Sequence, residues 1–217
     1  MSDATTSDTT PDPTPDEPAA GKAAPRQLLP RAERQASILA AAAQAFAEAG
    51  YAGTSMDDVA AAAGVSKLIV YRHFDSKEEL YRSVLTAAAD RMSDEFVLGM
   101  QGPEDMRHGL AARAILNVAR ENPDAFRLLM VHAAREPQFA ELALQFRKGG
   151  VDFAQSFIGE LIPDPTVRTW AARTIVRYLV GGVLEWLDVG DPARDDEFVE
   201  LSSQGLIGMF LAWAPEP

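Results

Sequence analysis

The segment Met56–Asp75, MDDVAAAAGVSKLIVYRHFD, constrains this chain more than any other. Ala60, Gly64 and Val70 stand at its fifth, ninth and fifteenth positions. Each has a mechanical role in two short helices joined by a tight turn. A small residue at 60 lets the second helix cross the first. Gly64 accepts the positive φ of the turn, where a Cβ would be costly. Val59, Ala63, Val65 and Val70 form an apolar wedge that locks the pair. Lys67, Leu68, Tyr71 and Arg72 are then left on the outer face of the second helix, a surface suited to phosphates and base edges.

The flanking residues extend this unit. Ile38, Ala42, Ala45, Phe46 and Ala49 recur at helical spacing before a Gly50 stop. Thr54 with Asp57, or Ser55 with Asp58, makes a capping box that opens a helix Met56–Ala63. Ser66 can cap the next, Lys67–Phe74. Ser76 with Glu79 opens a longer helix, with Leu80, Val84, Leu85, Ala88 and Met92 inward. Beyond Phe96 the period stays helical. Gly-Pro, Asn-Pro, Glu-Pro, Pro-Asp-Pro and Asp-Pro steps divide it into helices near 104–120, 124–134, 138–161, 166–189 and 194–214. No stretch alternates as a strand would. The expected fold is all-α with about nine helices.

Charge places the basic face in context. The 217 residues hold 20 Lys+Arg against 32 Asp+Glu, a net charge of -12. The excess acid lies in residues 1–25 and 94–217, while 26–93 balance. A basic surface on the second short helix is therefore compatible with an acidic chain. Residues 1–25 are Thr, Ser, Asp, Pro and Ala with few large apolar side chains, so they read as a disordered acidic leader. Residues 26–75 read as the helix-turn-helix domain and 76–217 as a C-terminal helical domain.

The exclusions are chemical. Without cysteine there is no disulfide, thiolate nucleophile or Cys-bound metal, which suits a cytoplasmic protein. Three histidines, none at ligand spacing with carboxylates, argue against a metal site. No GxSxG, HExxH, P-loop or GxGxxG occurs, so an enzyme is the least favoured class. No signal peptide and no apolar run of the ~18 residues of a membrane span is visible.

Residues 34–85 resemble the DNA-binding domain of the TetR family of transcriptional repressors. The resemblance rests on ILAAAAQAFAEAGYAGTSMDDVAAAAGVS and KLIVYRHFDSKEELYRSVL. It implies a homodimer whose helix-turn-helix units enter the major grooves of a palindromic double-stranded operator. It implies no cofactor. By position, Thr54, Ser55, Tyr71, His73 and Lys77 resemble phosphate contacts, and Ser66, Lys67, Leu68 and Arg72 resemble contacts to bases or nearby phosphates. Leu68 and Ile69 depart from the small residues usual after Ser-Lys, so base preference does not transfer.

The resemblance also implies a C-terminal effector site and dimer interface. Met106, Phe126, Met130, Phe139, Phe146 and Phe153 suit either an ordinary core or the lining of a cavity for a small apolar or amphipathic effector. Arg113, Arg127 and His132 are candidate polar anchors. Trp170, Tyr178, Gly182, Trp186, Phe198, Met209 and Phe210 lie on the two most apolar helices. They suit an intrachain core, and with the resemblance a four-helix dimer interface. The expected function is a repressor released from its operator by an effector. The alternative is a helical protein-interaction module whose DNA face is degenerate.

Overall fold

The computed structural model describes residues 30–101 and 109–213. Among them are nine α-helices and no strand: α1 Arg31–Gly53, α2 Met56–Ala62, α3 Lys67–Tyr71, α4 Lys77–Gln101, α5 Leu110–Glu121, α6 Pro123–Arg127, α7 Ala140–Ile158, α8 Pro165–Val189 and α9 Asp195–Trp213. The leader 1–25 and Met106 lie outside the described residues.

Local chemistry sets the ends of these helices. Gly50, at φ 73°, interrupts the helical path near the end of α1. Of the two capping boxes expected before α2, Ser55 with Asp58 forms. The Ser55 Oγ accepts from the Asp58 N–H, and the Asp58 carboxylate accepts from the Ser55 N–H. Ser66 differs from expectation. Its side chain makes no cap bond, and its carbonyl accepts from Ile69 and Val70 instead. The second short helix ends at Tyr71 rather than Phe74, in a turn where His73 and Phe74 still donate to the Val70 carbonyl.

The helix expected over 124–134 is also different. α6 runs into a π-helical turn, Leu128–His132, and then a 3₁₀ turn, Ala133–Arg135. Such turns widen and then tighten the backbone, and a period of 3.6 in the side chains cannot announce them. They bring Leu128, Leu129 and Ala133 into one buried set with α1.

Two buried clusters organise the chain. The first joins α1–α3 to the first half of α4, to Ala125, Leu128, Leu129 and Ala133, and to Phe139 and Ala143. It continues through Leu80, Tyr81, Val84 and Leu85, so the core of the helix-turn-helix does not stop at residue 75. The second joins Met92, α5, Phe126, Ile158, α8 and the start of α9. Met130 and Phe146 pack against both. Each large apolar side chain removed from water contributes ~1.5–3 kcal/mol, so both clusters are substantial sources of stability.

Candidate nucleic-acid interface

The turn between α2 and α3 is built by backbone bonds. The Val65 N–H donates to Ala60 O at 3.0 Å and the Gly64 N–H to Ala61 O at 3.1 Å, with Gly64 at φ 63°. This double bond pattern satisfies the last carbonyls of α2 and needs a left-handed residue after the cap. A Cβ on Gly64 would meet nothing within 4 Å, so backbone conformation rather than space demands glycine. Val59, Ala60 and Val70 are buried beneath the turn. That burial orients α3 and leaves Ser66, Lys67, Leu68, Tyr71 and Arg72 exposed together, Leu68 at 63%.

Two residues expected at phosphates bond within the chain here. Thr54 is only 2% exposed, and its hydroxyl donates to the carbonyls of Ala45 and Gly50. It closes the end of α1. The Lys77 Nζ donates to Tyr51 O at 2.8 Å and Thr54 O at 2.9 Å, and lies 4.5 Å from the Tyr51 ring centre. Both side chains donate to carbonyls in and just after the last turns of α1, around the Gly50 interruption. They brace the α1–α2 corner that carries the exposed face.

His73 is half-buried after α3, and its Nδ1 is buried without a hydrogen-bond partner. Burial pushes its pKa below the ordinary value, and Arg31 and Arg34 of α1 push it the same way. At neutral pH the ring is an uncharged group beside a basic corner. Ser55 stays exposed, with its hydroxyl 2.6 Å from the Asp58 carboxylate.

Asp57 is the residue that sequence reasoning missed here. Its spacing in sequence suggests only a cap with Thr54. With Ser55 and Asp58 forming the box, the Asp57 carboxylate turns to α3 and meets Lys67 Nζ at 2.6 Å. The pair holds the Lys67 pKa above its ordinary value, chiefly through this hydrogen bond.

The C-terminal candidates separate into inward and outward groups. α8 and α9 form an antiparallel hairpin. Trp170 packs on Trp213 with ring centres 4.8 Å apart, and Tyr178 Oη donates to Ser202 O at 3.4 Å. Trp186 stacks on Phe198 at 5.1 Å and donates from Nε1 to Asp195 Oδ1 at 2.7 Å. Asp195 also receives Arg120 of α5 at 2.8 Å. These bonds, that of Arg120 foremost, hold the Asp195 carboxyl below its usual range. Phe198 is buried inside this hairpin, while Trp186 and Gly182, which pack against it, stay half-buried. Met209 and Phe210 are half-buried, Phe210 against the second core. The outward face holds Val167, Trp170 and Tyr178 on α8 with Leu201, Ile207 and Leu211 on α9; Trp170 is 52% and Leu211 76% exposed.

Of the expected effector residues among those described, Phe126, Phe139, Met130 and Phe146 are spread over the two buried clusters and their seam. Phe126 and Phe139 are fully buried in different clusters. Arg113 pairs with Asp196 at 2.7 Å and Arg127 with Asp188 at 2.5 Å, tying α5 and α6 to the hairpin. Met130 and Phe146 lie where the two clusters meet, and His132 sits half-buried on the π-helical turn. Phe153 packs on Phe96 at 5.0 Å and remains partly exposed. A cleft of about 330 Å³ lies between α1 and α2, lined by Gln44, Glu48, Thr54 and Asp58. Another of about 140 Å³ lies among α1, α4 and α5, lined by Leu39, Val84, Arg91 and Val118. None of the expected effector residues lines either. Among the described residues no three or more His, Asp or Glu side chains group as a metal site. No helix among them is long and apolar enough to cross a membrane.

Fold and face together define a helix-turn-helix transcriptional regulator. Residues 38–84 match the profile of bacterial regulatory proteins, tetR family. The HTH-type transcriptional activator FasR of Mycolicibacterium smegmatis is 31% identical over 179 residues, 79% of this chain and 80% of that protein. The HTH-type transcriptional repressor Rv3405c of Mycobacterium tuberculosis is 38% identical over 94 residues, 40% of this chain and 49% of that one. Two solved structures share the fold. A TetR-family transcriptional regulator from Bordetella parapertussis superposes with a TM-score of 0.68 at 19% identity, covering 84% of this chain and 98% of that one. The fatty acid degradation regulator FadR from Bacillus halodurans does so with a TM-score of 0.63 at 18% identity, covering 86% and 96%. The chain belongs to the TetR family: it is a DNA-binding transcriptional regulator and not an enzyme.

Proposed function

We propose that this regulator is a homodimeric repressor, acting in the cytoplasm on a palindromic operator and released by a small apolar or amphipathic effector. The observation that carries the dimer is the outer face of the α8–α9 hairpin. Val167, Trp170 and Tyr178 recur along α8, and Leu201, Ile207 and Leu211 along α9, all exposed to solvent. Exposed apolar side chains recurring along both helices favour an interaction surface, and a second hairpin of the same sequence can cover it by two-fold symmetry. Two copies then present two α3 helices, and their spacing sets the spacing of the half-sites.

The seam between the two clusters supports the effector reading. Met130 and Phe146 touch both cores there, beside a π-helical turn. A molecule that parts the seam shifts α6 and the π-helical turn, which pack against α1. Release follows only if it binds that conformer more tightly than the operator-bound one.

The test uses purified full-length protein and a duplex selected by it from random sequence. A panel of uncharged and cationic aromatic and acyl compounds should raise Tm and dissociate the duplex over one concentration range. Stabilisation without release would defeat the effector reading. A transcriptional reporter behind the selected site should fall when the protein is supplied. A rise would make it an activator, as the M. smegmatis relative is named.

A further inference from the structure

α2 and α3 begin side by side, and their first turns place a carboxylate and an ammonium in contact: Asp57 Oδ2 lies 2.6 Å from Lys67 Nζ. Both side chains are more than half exposed, so solvent screens the pair and it adds little to folding stability. Its consequence falls on what Lys67 can touch. Lys67 is the first residue of α3, on the exposed face with Leu68, Tyr71 and Arg72. It is the only Lys or Arg on that face with a carboxylate at salt-bridge distance among the pairs that the described residues form.

We propose that Asp57 is a specificity-determining residue: it holds Lys67 in a neutral pair that disfavours phosphate and leaves the ammonium to a base edge. The proposal rests on the reading that α3 enters the major groove. An ammonium carries three donors, and Asp57 takes one. With the pair intact, a remaining N–H can reach guanine O6 or N7, and the second carboxylate oxygen can accept from a cytosine N4 amino group. Contact with a phosphate through the same intact pair would bring the Asp57 carboxylate towards a second anion. Phosphates occur at every sequence, so a lysine kept from them contributes little to non-specific affinity. A lysine without the aspartate would take the nearest phosphate at any sequence.

The experiment is a double-mutant cycle in the full chain, with Asp57→Asn, Lys67→Gln and both. Asparagine keeps the shape of aspartate, and the Ser55–Asp58 box does not involve position 57. Binding is measured against salt on the selected duplex and on a shuffled duplex of equal composition. Asp57→Asn should bind the shuffled duplex severalfold more tightly, with a salt slope steeper by about 0.9 per subunit. Lys67→Gln alone should leave the shuffled slope unchanged and weaken the selected site. Lys67→Gln added to Asp57→Asn should abolish the steeper slope. Two results would overturn the inference while leaving the groove reading intact. One is a loss of about 0.9 in shuffled slope from Lys67→Gln alone, which makes Lys67 a phosphate contact despite Asp57. The other is a gain from Asp57→Asn that survives in the double variant, which makes Asp57 act as bulk charge. If Lys67→Gln and Arg72→Gln both leave the selected site unaffected, the groove reading itself falls, and this inference with it.

Discussion

The ring of Phe139, just before α7, lies 4.4 Å from the ring of Tyr81 on α4, and both are buried. Tyr51 closes the group, 5.1 Å from Phe139 and 5.2 Å from Tyr81, and Phe46 packs on Tyr81 at 4.8 Å. Four aromatic rings from α1, α4 and the segment before α7 thus fasten the helix-turn-helix to the rest of the chain. Phe139→Ala should cost ~3–5 kcal/mol of stability, the usual range for emptying a buried aromatic site. Denaturant unfolding measures this. A neutral outcome would mean that the junction collapses around the gap.

Tyr81 gives the same junction a signature in alkali. Burial, foremost, pushes its phenol up to about 12 from the ordinary 10.0. The folded state therefore keeps the proton where the unfolded state loses it. The stabilisation is fully present below pH 10 and is lost as pH rises towards 12, a change of ~2–3 kcal/mol. Tyr81→Phe should flatten that part of the Tm-against-pH curve. An unchanged alkaline slope would assign the loss to another group.

His73 acts at the other end of the scale. Its folded pKa lies below the ordinary 6.5 because burial and then Arg31 and Arg34 oppose the charged ring. The unfolded state takes up the proton first, so stability is present above pH 6.5 and falls as pH drops through that value. His73→Gln should reduce the dependence of Tm on pH between neutral and mildly acidic buffer. Persistence of the full dependence in that variant would clear His73 of it.

The two faces of the α8–α9 hairpin should respond differently to charge. Leu211→Glu places a carboxylate on a side chain already 76% exposed, so the protomer should fold. It should sediment as a monomer and lose operator affinity, because a charge buried without a partner is poorly tolerated at an interface. Phe198→Glu buries the charge inside the protomer and should unfold it. A stable dimer from Leu211→Glu would place the dimer contact elsewhere.

Helix identity and the turn geometry were legible in the sequence because they are local. The left-handed Gly64, the Ser55–Asp58 box and the apolar period of α1, α4, α8 and α9 depend on residues a few positions apart. The outward set Lys67, Leu68, Tyr71 and Arg72 follows from the same short period, which is why the DNA-binding class is legible in the sequence. Tertiary structure decided how long side chains are spent. Lys77 reaches the carbonyls of Tyr51 and Thr54, 26 and 23 residues away in sequence, and Thr54 turns inward to Ala45 and Gly50. Phe198 and Trp186 pair within one hairpin while Leu201 and Leu211, on the same helix as Phe198, face solvent. A helical period says that a side chain lies on a face; which neighbour covers that face depends on the crossing of helices distant in sequence. The π-helical turn at Leu128–His132 belongs to the same class, since packing on α1 rather than local propensity accompanies it. Asp57 shows both levels at once: its place in a helix N-terminus is local, and its partner Lys67 is chosen by the way α3 crosses α2.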